Sequence, residues 1–380
     1  MAILAERKKM KIKSVKAHLV RVPVTRIAAF AKRKMTHMFS TIVEVETDNG
    51  ILGLGEARGD FCAKIINEKF SPLLKGQSVY DFHNLKDLCL AKSPFDYGYP
   101  EYPLELNAFA GLEIALWDII GKETGQTLYN LLGGAARERA LFGAYAYTVD
   151  PDEGLSNKKI AQTMAEIAAT SIKETGAGLF EFKVGLHSTS CEIQIVKEIR
   201  NSLGPDIEIA VDANMGFSVD QARRFLEGTK DCNLCNIEEP VAGLGAIAKI
   251  REITGVPVST HCIDLDALSS QPSIDSVVSD PSLLGGISNL NSFISSVNAL
   301  KKRFWLRARW ELGIGWAAMC HIGINRVEID RPSQALINWV EDDLILGDTW
   351  FVRKGGVRPP DKPGLGVELD RKALEKYKLE

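Results

Sequence analysis

Residues 179–185 read LFEFKVG, residues 207–214 read IEIAVDAN and residues 234–240 read LCNIEEP. Each is a short apolar run that closes on polar side chains: Lys183, then Asp212 with Asn214, then Glu238. A run of this length bounded by polar residues reads as a strand buried on both faces. Between the second and third lies SVDQARRFLEGT (218–229), with the spacing of an amphipathic helix. The unit is therefore strand, helix, strand.

The same unit recurs on both sides of these three runs. Strands are expected at LFGAYAYT (141–148), VPVSTH (256–261), DSVVSD (275–280), FWLRAR (304–309) and ALINWVE (335–341), with helices such as ISNLNSFISSVNALKK (287–302) between them. Eight strands alternating with helices fit an α/β barrel. A doubly wound open sheet is the alternative, but no GxGxxG follows an early strand. Before residue 135 the pattern differs. SVKAHLVRVPV (14–24) and STIVEVETDNGILGLGEAR (40–58) are extended runs with a DNG turn signal, and LNAFAGLEIALWDIIGKETG (106–125) is helical. The expected division is an N-terminal α+β capping domain over 1–135 and a barrel over 136–349. The tail 350–380 should return to the first domain through KPGLGVELDRKALEKY (362–377).

Composition narrows the function classes. The chain has 380 residues, 45% of them hydrophobic, and a formal net charge of −3. That balance leaves no positive excess for nucleic acid or an anionic membrane. The basic run ERKKMKIK (6–13) reads as a solvated extension, with Met10 an alternative start. No stretch approaches roughly 18 to 20 consecutive apolar residues, and no signal-peptide layout is present. The seven cysteines at 62, 89, 191, 232, 235, 262 and 320 are scattered and odd in number, as in a reducing compartment. The one CxxC (232–235) has no second pair to complete a zinc site. A cytoplasmic protein is expected.

In a parallel barrel, chemistry sits where the strands end. The residues there are Lys183, Asp212, Asn214, Glu238, His261, Asp280, Arg307, Arg309 and Glu341. Carboxylates on adjacent strands are a usual means of holding a divalent cation through oxygen. Burying so many charges is costly unless they bind something.

The order FKVG, DAN, IEEP, VPVSTH, SDPSLLGGIS and ELGIGWAAMCHIG, with GLEIALWDIIGK and LYNLLGG upstream, resembles the enolase superfamily in its mandelate racemase and glucarate dehydratase branch. The resemblance runs from about residue 11 to the end. It implies a capping domain, a modified (β/α)7β TIM-type barrel, and proton abstraction beside a metal-bound carboxylate, with Mg²⁺ as cofactor. It also implies a small-molecule carboxylate substrate and a homo-oligomer, dimer or octamer.

Carried over by position, Asp212 and Glu238 match two metal ligands, and Lys183 matches the general base. The third ligand position holds His261, a nitrogen donor better suited to Mn²⁺ or another divalent ion than to Mg²⁺. His261 is either that ligand or a contact to substrate. Glu181 stands where the family has a first lysine. A carboxylate there favours the protonated form of Lys183. Arg307 stands where the branch has a histidine paired with the acid at 280, and an arginine does not relay protons. Asp280 and Arg307 are therefore an ion pair at the rim, or Arg307 clamps a substrate carboxylate. Asn214 is expected around the metal, Arg309 beside Arg307 or in a surface salt bridge, and Glu341 at a position that stabilises the intermediate.

Two capping-domain loops, 25–40 with Arg26, Lys32, Arg33 and Lys34, and 56–61, should close the mouth. The expected activity is a metal-dependent lyase (hydro-lyase) dehydrating an aldonate or aldarate. The alternatives are a racemase or cycloisomerase of the same superfamily, or a member that binds metal and ligand without this chemistry.

Overall fold

The computed structural model describes residues 10–30, 33–90 and 101–379. Residues 6–9 of the basic run and Lys32 lie outside the described residues. Three antiparallel strands, β1 (Ile12–Phe30), β2 (Arg33–Thr47) and β3 (Leu52–Arg58), form the first sheet in the order β1-β2-β3. The DNG signal supplies the turn between β2 and β3, with Gly50 at φ +87°. The helix Glu101–Thr124 packs closely on β3. Glycine makes that approach feasible, since a Cβ at Gly55 would meet the carbonyl oxygen of Gly111 at 1.9 Å.

Segment 25–40 is not an open loop. β1 and β2 continue as a long hairpin with a register shift between Pro23 and Ala28, and pairing resumes from Ala28↔Met35 to Phe30↔Arg33. A proline lacks the N–H a ladder needs, so a shift beside Pro23 costs little. Cross-strand pairing satisfies the backbone of the extension, and Phe30 packs on Tyr147 with ring centroids 5.4 Å apart. The arm is tied to the barrel by bridges Ala29↔Thr148 and Val24↔Val340.

The second sheet has seven parallel strands: β5 (Ala144–Ala146), β6 (Leu179–Lys183), β7 (Glu208–Asp212), β8 (Leu234–Glu238), β9 (Val258–Thr260), β10 (Ser276–Ser279) and β11 (Arg303–Leu306), neighbours in chain order. Helices such as Asn157–Thr175, Thr189–Leu203 and Val219–Gly228 connect them, with Ser156, Ser188 and Ser218 as N-caps. The architecture is α/β, a curled parallel sheet under an antiparallel capping sheet.

The expected eighth strand differs. Ile337–Trp339 forms a 3₁₀ turn, and the gap between β11 and the first barrel strand is closed by two residues just before it. Gln334 N–H donates to Leu306 O at 3.0 Å on one side. Ser333 N–H donates to Leu141 O, and its carbonyl accepts from Gly143 N–H, both at 2.9 Å, on the other. Ile337, Trp339 and Val340 are buried whichever way the backbone turns, so their apolar pattern does not separate a strand from a packed turn.

β4 (Ala140–Leu141) pairs with β12 (Gly356–Val357) in a small two-stranded sheet. The final helix Arg371–Tyr377 lies against β1, where Leu379 N–H donates to Leu19 O at 2.9 Å.

Candidate active site

Register places the site. Lys183 pairs laterally with Asp212, and Asp212 with Glu238, so the last residues of β6, β7 and β8 form one row. Parallel strands in register aim matched side chains at the same face, so all three point into the mouth. Glu181 lies one layer deeper, beside Ala210.

These four side chains are buried. Lys183 Nζ is in contact with Asp212 Oδ2. Asn214 donates to Asp212 from its backbone N–H at 2.8 Å and from its side-chain amide at 3.2 Å. His261 Nε2 lies 2.7 Å from Glu238 Oε1. Gln334 Nε2 donates to Glu181 Oε1 at 2.5 Å and to Glu238 Oε2 at 3.0 Å. Its own carbonyl oxygen accepts from Ala308 N–H at 3.2 Å, which fixes the orientation of the amide.

Burial and like charge set the electrostatics. Burial, then the nearby Glu238, pushes the Glu181 carboxyl up to about 8. Burial and Asp212 push Glu238 well above the usual carboxylate range. Asp212 is also pushed up by burial, but Lys183, His261 and the Asn214 N–H together outweigh that and hold it below its ordinary value. Burial and Arg307 lower His261 to about 4, so its imidazole is neutral near pH 7.

Carboxylate oxygens of Glu181, Asp212 and Glu238 lie within 4.8 Å of one another. This set of hard oxygen donors fits a cation such as Mg²⁺. The third carboxylate of this group is Glu181; His261, which follows the end of β9, sets its ring against Glu238 and its backbone N–H on Glu239 Oε1, at 2.6 Å.

The row opens into a cavity of about 720 Å³. Lys183, Asp212, Asn214, Glu238, His261, Arg307 and Arg309 all line it, as do Phe30, Arg33 and Lys34 of the arm. Lys34 is held by Asp150 at 2.8 Å and by Asp152. Asp280 lies just behind, buried, accepting from Arg307 Nε at 2.9 Å and Nη2 at 2.5 Å. Arg307, Arg309 and these bonds hold its carboxyl far below the usual range against the effect of burial.

Glu341 is not at the mouth. It is exposed, and its N–H pairs with Pro23 O on the arm, because the closing segment ends seven residues earlier than expected. The residue that does reach the carboxylates there is Gln334, which sequence reasoning passed over. Arg58 was likewise read only as part of a loop, yet it ends β3 and lines the cavity.

The mandelate racemase/muconate lactonizing enzyme N-terminal domain matches residues 10–133, and the enolase C-terminal domain-like model matches residues 163–373. The chain belongs to the mandelate racemase/muconate lactonizing enzyme branch of the enolase superfamily. It is 28% identical over 360 residues to the "Probable glucarate dehydratase" of Streptomyces coelicolor, covering 88% of this chain and 83% of that one. It is 25% identical over 390 residues to the D-galactarolactone cycloisomerase of Agrobacterium fabrum, covering 97% and 99%. Among solved structures, an isomerase from Streptomyces coelicolor superposes with TM-score 0.84 at 26% identity, covering 97% of this chain and 99% of that one. An enolase from Pseudomonas fluorescens with bound magnesium, potassium and tartrate has the same fold, at TM-score 0.86 and 24% identity, covering 97% and 92%. The relatives thus include both a dehydratase and a cycloisomerase.

Proposed function

We propose that this chain is a divalent-metal-dependent lyase that dehydrates a sugar acid, an aldonate or aldarate, after removal of the proton next to its carboxylate. The observation that carries the reading is the row Lys183, Asp212, Glu238 at the strand ends, with Arg307 across the mouth. Asp212 and Glu238, with Glu181 as the third oxygen donor, are the residues that would hold Mg²⁺. Such a cation, when bound, offsets the charge that accumulates on a substrate carboxylate as its α-proton leaves.

Lys183 is assigned the proton transfer. Its Nζ lies within 6 Å of the rings of Phe30 and Tyr145, which wall it from bulk water, and it faces the cavity. Taking the α-proton breaks the C–H bond and forms C=C as the β-hydroxyl departs. The ammonium so formed returns its proton to that hydroxyl, giving water. A single proton-carrying residue suffices for this elimination. Racemisation generally uses a base on each face, and a guanidinium does not relay protons, so arginines at 307 and 309 support elimination.

The test is incubation in D₂O with Mg²⁺ or Mn²⁺ and a panel of aldonic and aldaric acids. We expect α-proton exchange and a 2-keto-3-deoxy product, both reduced at least about 10³-fold in Lys183→Ala. No exchange with any acid, and no difference in Lys183→Ala, sinks the proposal.

A further inference from the structure

The cavity has two electrical poles. Carboxylates gather at the ends of β6 to β8, and guanidinium groups gather on the other wall: Arg58 at the end of β3, with Arg307 and Arg309 just past β11. The acids of that wall do not match these cations one for one. Asp280 is taken by Arg307 and lies 3.9 Å from Arg309 Nη1, which donates to Ser282 Oγ at 2.8 Å. Glu311 accepts from the backbone N–H of Arg309 with both oxygens, at 2.8 and 2.9 Å. The Arg58 guanidinium has no hydrogen-bond acceptor among the described residues. Burial, then the positive charge of Arg309, lowers its pKa to about 10. The Arg58 side chain is half-buried, and a guanidinium partly withdrawn from water without an acceptor is unfavourable, the more so beside a second cation. An anion seated between Arg58 and Arg309 removes both penalties.

We infer that this wall is a subsite for a second anionic group, so that the substrate class is a dianionic acid. One carboxylate faces the Asp212 and Glu238 pole, and a terminal carboxylate or phosphate rests on Arg58 and Arg309. The inference depends on the reading of the site given above and narrows it, because a plain aldonate leaves the guanidinium wall unsatisfied. Arg307 is committed to Asp280, so the N–H groups free for the ligand are those of Arg58 and Arg309. Planar forks of this kind suit carboxylate and phosphate oxygens equally. Arg33, at the tip of the arm, extends the positive potential to the cavity entrance.

The test is calorimetric titration of the full chain in Mg²⁺ with three matched ligands. They are an aldaric acid, the aldonic acid of the same length and configuration, and that aldonic acid phosphorylated on its terminal hydroxyl. At least one dianion should bind about tenfold or more tighter than the aldonate, and the better of the two identifies the terminal group. Arg58→Gln should abolish most of that advantage, and Arg58→Lys should retain part of it. Equal affinities for the aldonate and both dianions overturn the subsite, as does an Arg58→Gln variant that weakens all ligands by one common factor. If Arg58→Gln does not fold, the wild-type ranking alone decides. A dianion preference without α-proton exchange overturns the lyase reading and leaves the subsite standing. Exchange without a dianion preference does the reverse.

Discussion

Two sets of buried carboxylates divide the molecule. Glu56, Glu113 and Asp118 belong to the capping domain, and their partners are mostly backbone N–H groups. Glu56 accepts from Leu312 N–H at 2.8 Å and Gly315 N–H at 2.7 Å, and from Ser40 Oγ at 2.7 Å. Glu113 accepts from Ile287 and Ser288 N–H, and Asp118 from Leu54 and Leu365 N–H, at 2.9 and 2.8 Å. Glu181, Asp212 and Glu238 are just as buried, yet their partners are chiefly the side chains of Lys183, Gln334, Asn214 and His261. A backbone N–H moves only if the chain moves, whereas a side chain can rotate away and leave its oxygen to a ligand. The first set holds the cap to the barrel and tail. The second is arranged for exchange of partners.

Three substitutions test this contrast. Glu238→Gln removes an ionisable group beside Asp212 and one oxygen donor. Mg²⁺ affinity, measured by calorimetry, should fall about 100-fold, while the metal-free denaturation midpoint holds or rises. A large loss of stability would place Glu238 with the interface set. Glu56→Gln sets an amide N–H against a backbone N–H at the start of the helix Gly313–Asn325. It should cost about 2 to 3 kcal/mol in chemical denaturation without altering the Mg²⁺ affinity of the folded protein.

The smallest effect is expected at Glu44, whose partners are again side chains, His18 at 2.9 Å and Arg371 Nη1 at 2.8 Å, but far from the mouth. Burial pushes its carboxyl up, and His18 and Arg371 more than reverse that, to about 2. The folded value lies below the ordinary one near 4.5. Its stabilisation is therefore fully present above pH 4.5 and lost as pH falls through about 2. Because Arg371 is half exposed, we expect about 1 kcal/mol or less between wild type and Glu44→Gln near pH 6, shrinking to nothing at the acid end.

The row of Lys183, Asp212 and Glu238 was legible because strands buried on both faces are nearly all apolar, so a charge at the end of each stands out. Glu181 was legible as a residue on the lysine's face, but not as a partner of Gln334, since that contact spans 153 positions. The closing segment was misread because two residues carry no period, and the apolar run after it imitates a strand. The arm was misread because its pairing runs across a bulge at a proline.

The two-residue closure ties the seam of the barrel to the site. Ser333 joins β11 to the first barrel strand, and Gln334, the next residue, spans Glu181 and Glu238. The hydrogen bonds that close the barrel and the amide that braces the site therefore come from adjacent residues. Opening this seam would withdraw the amide that bridges Glu181 and Glu238, while the three carboxylates, which stand on β6 to β8, would keep their register.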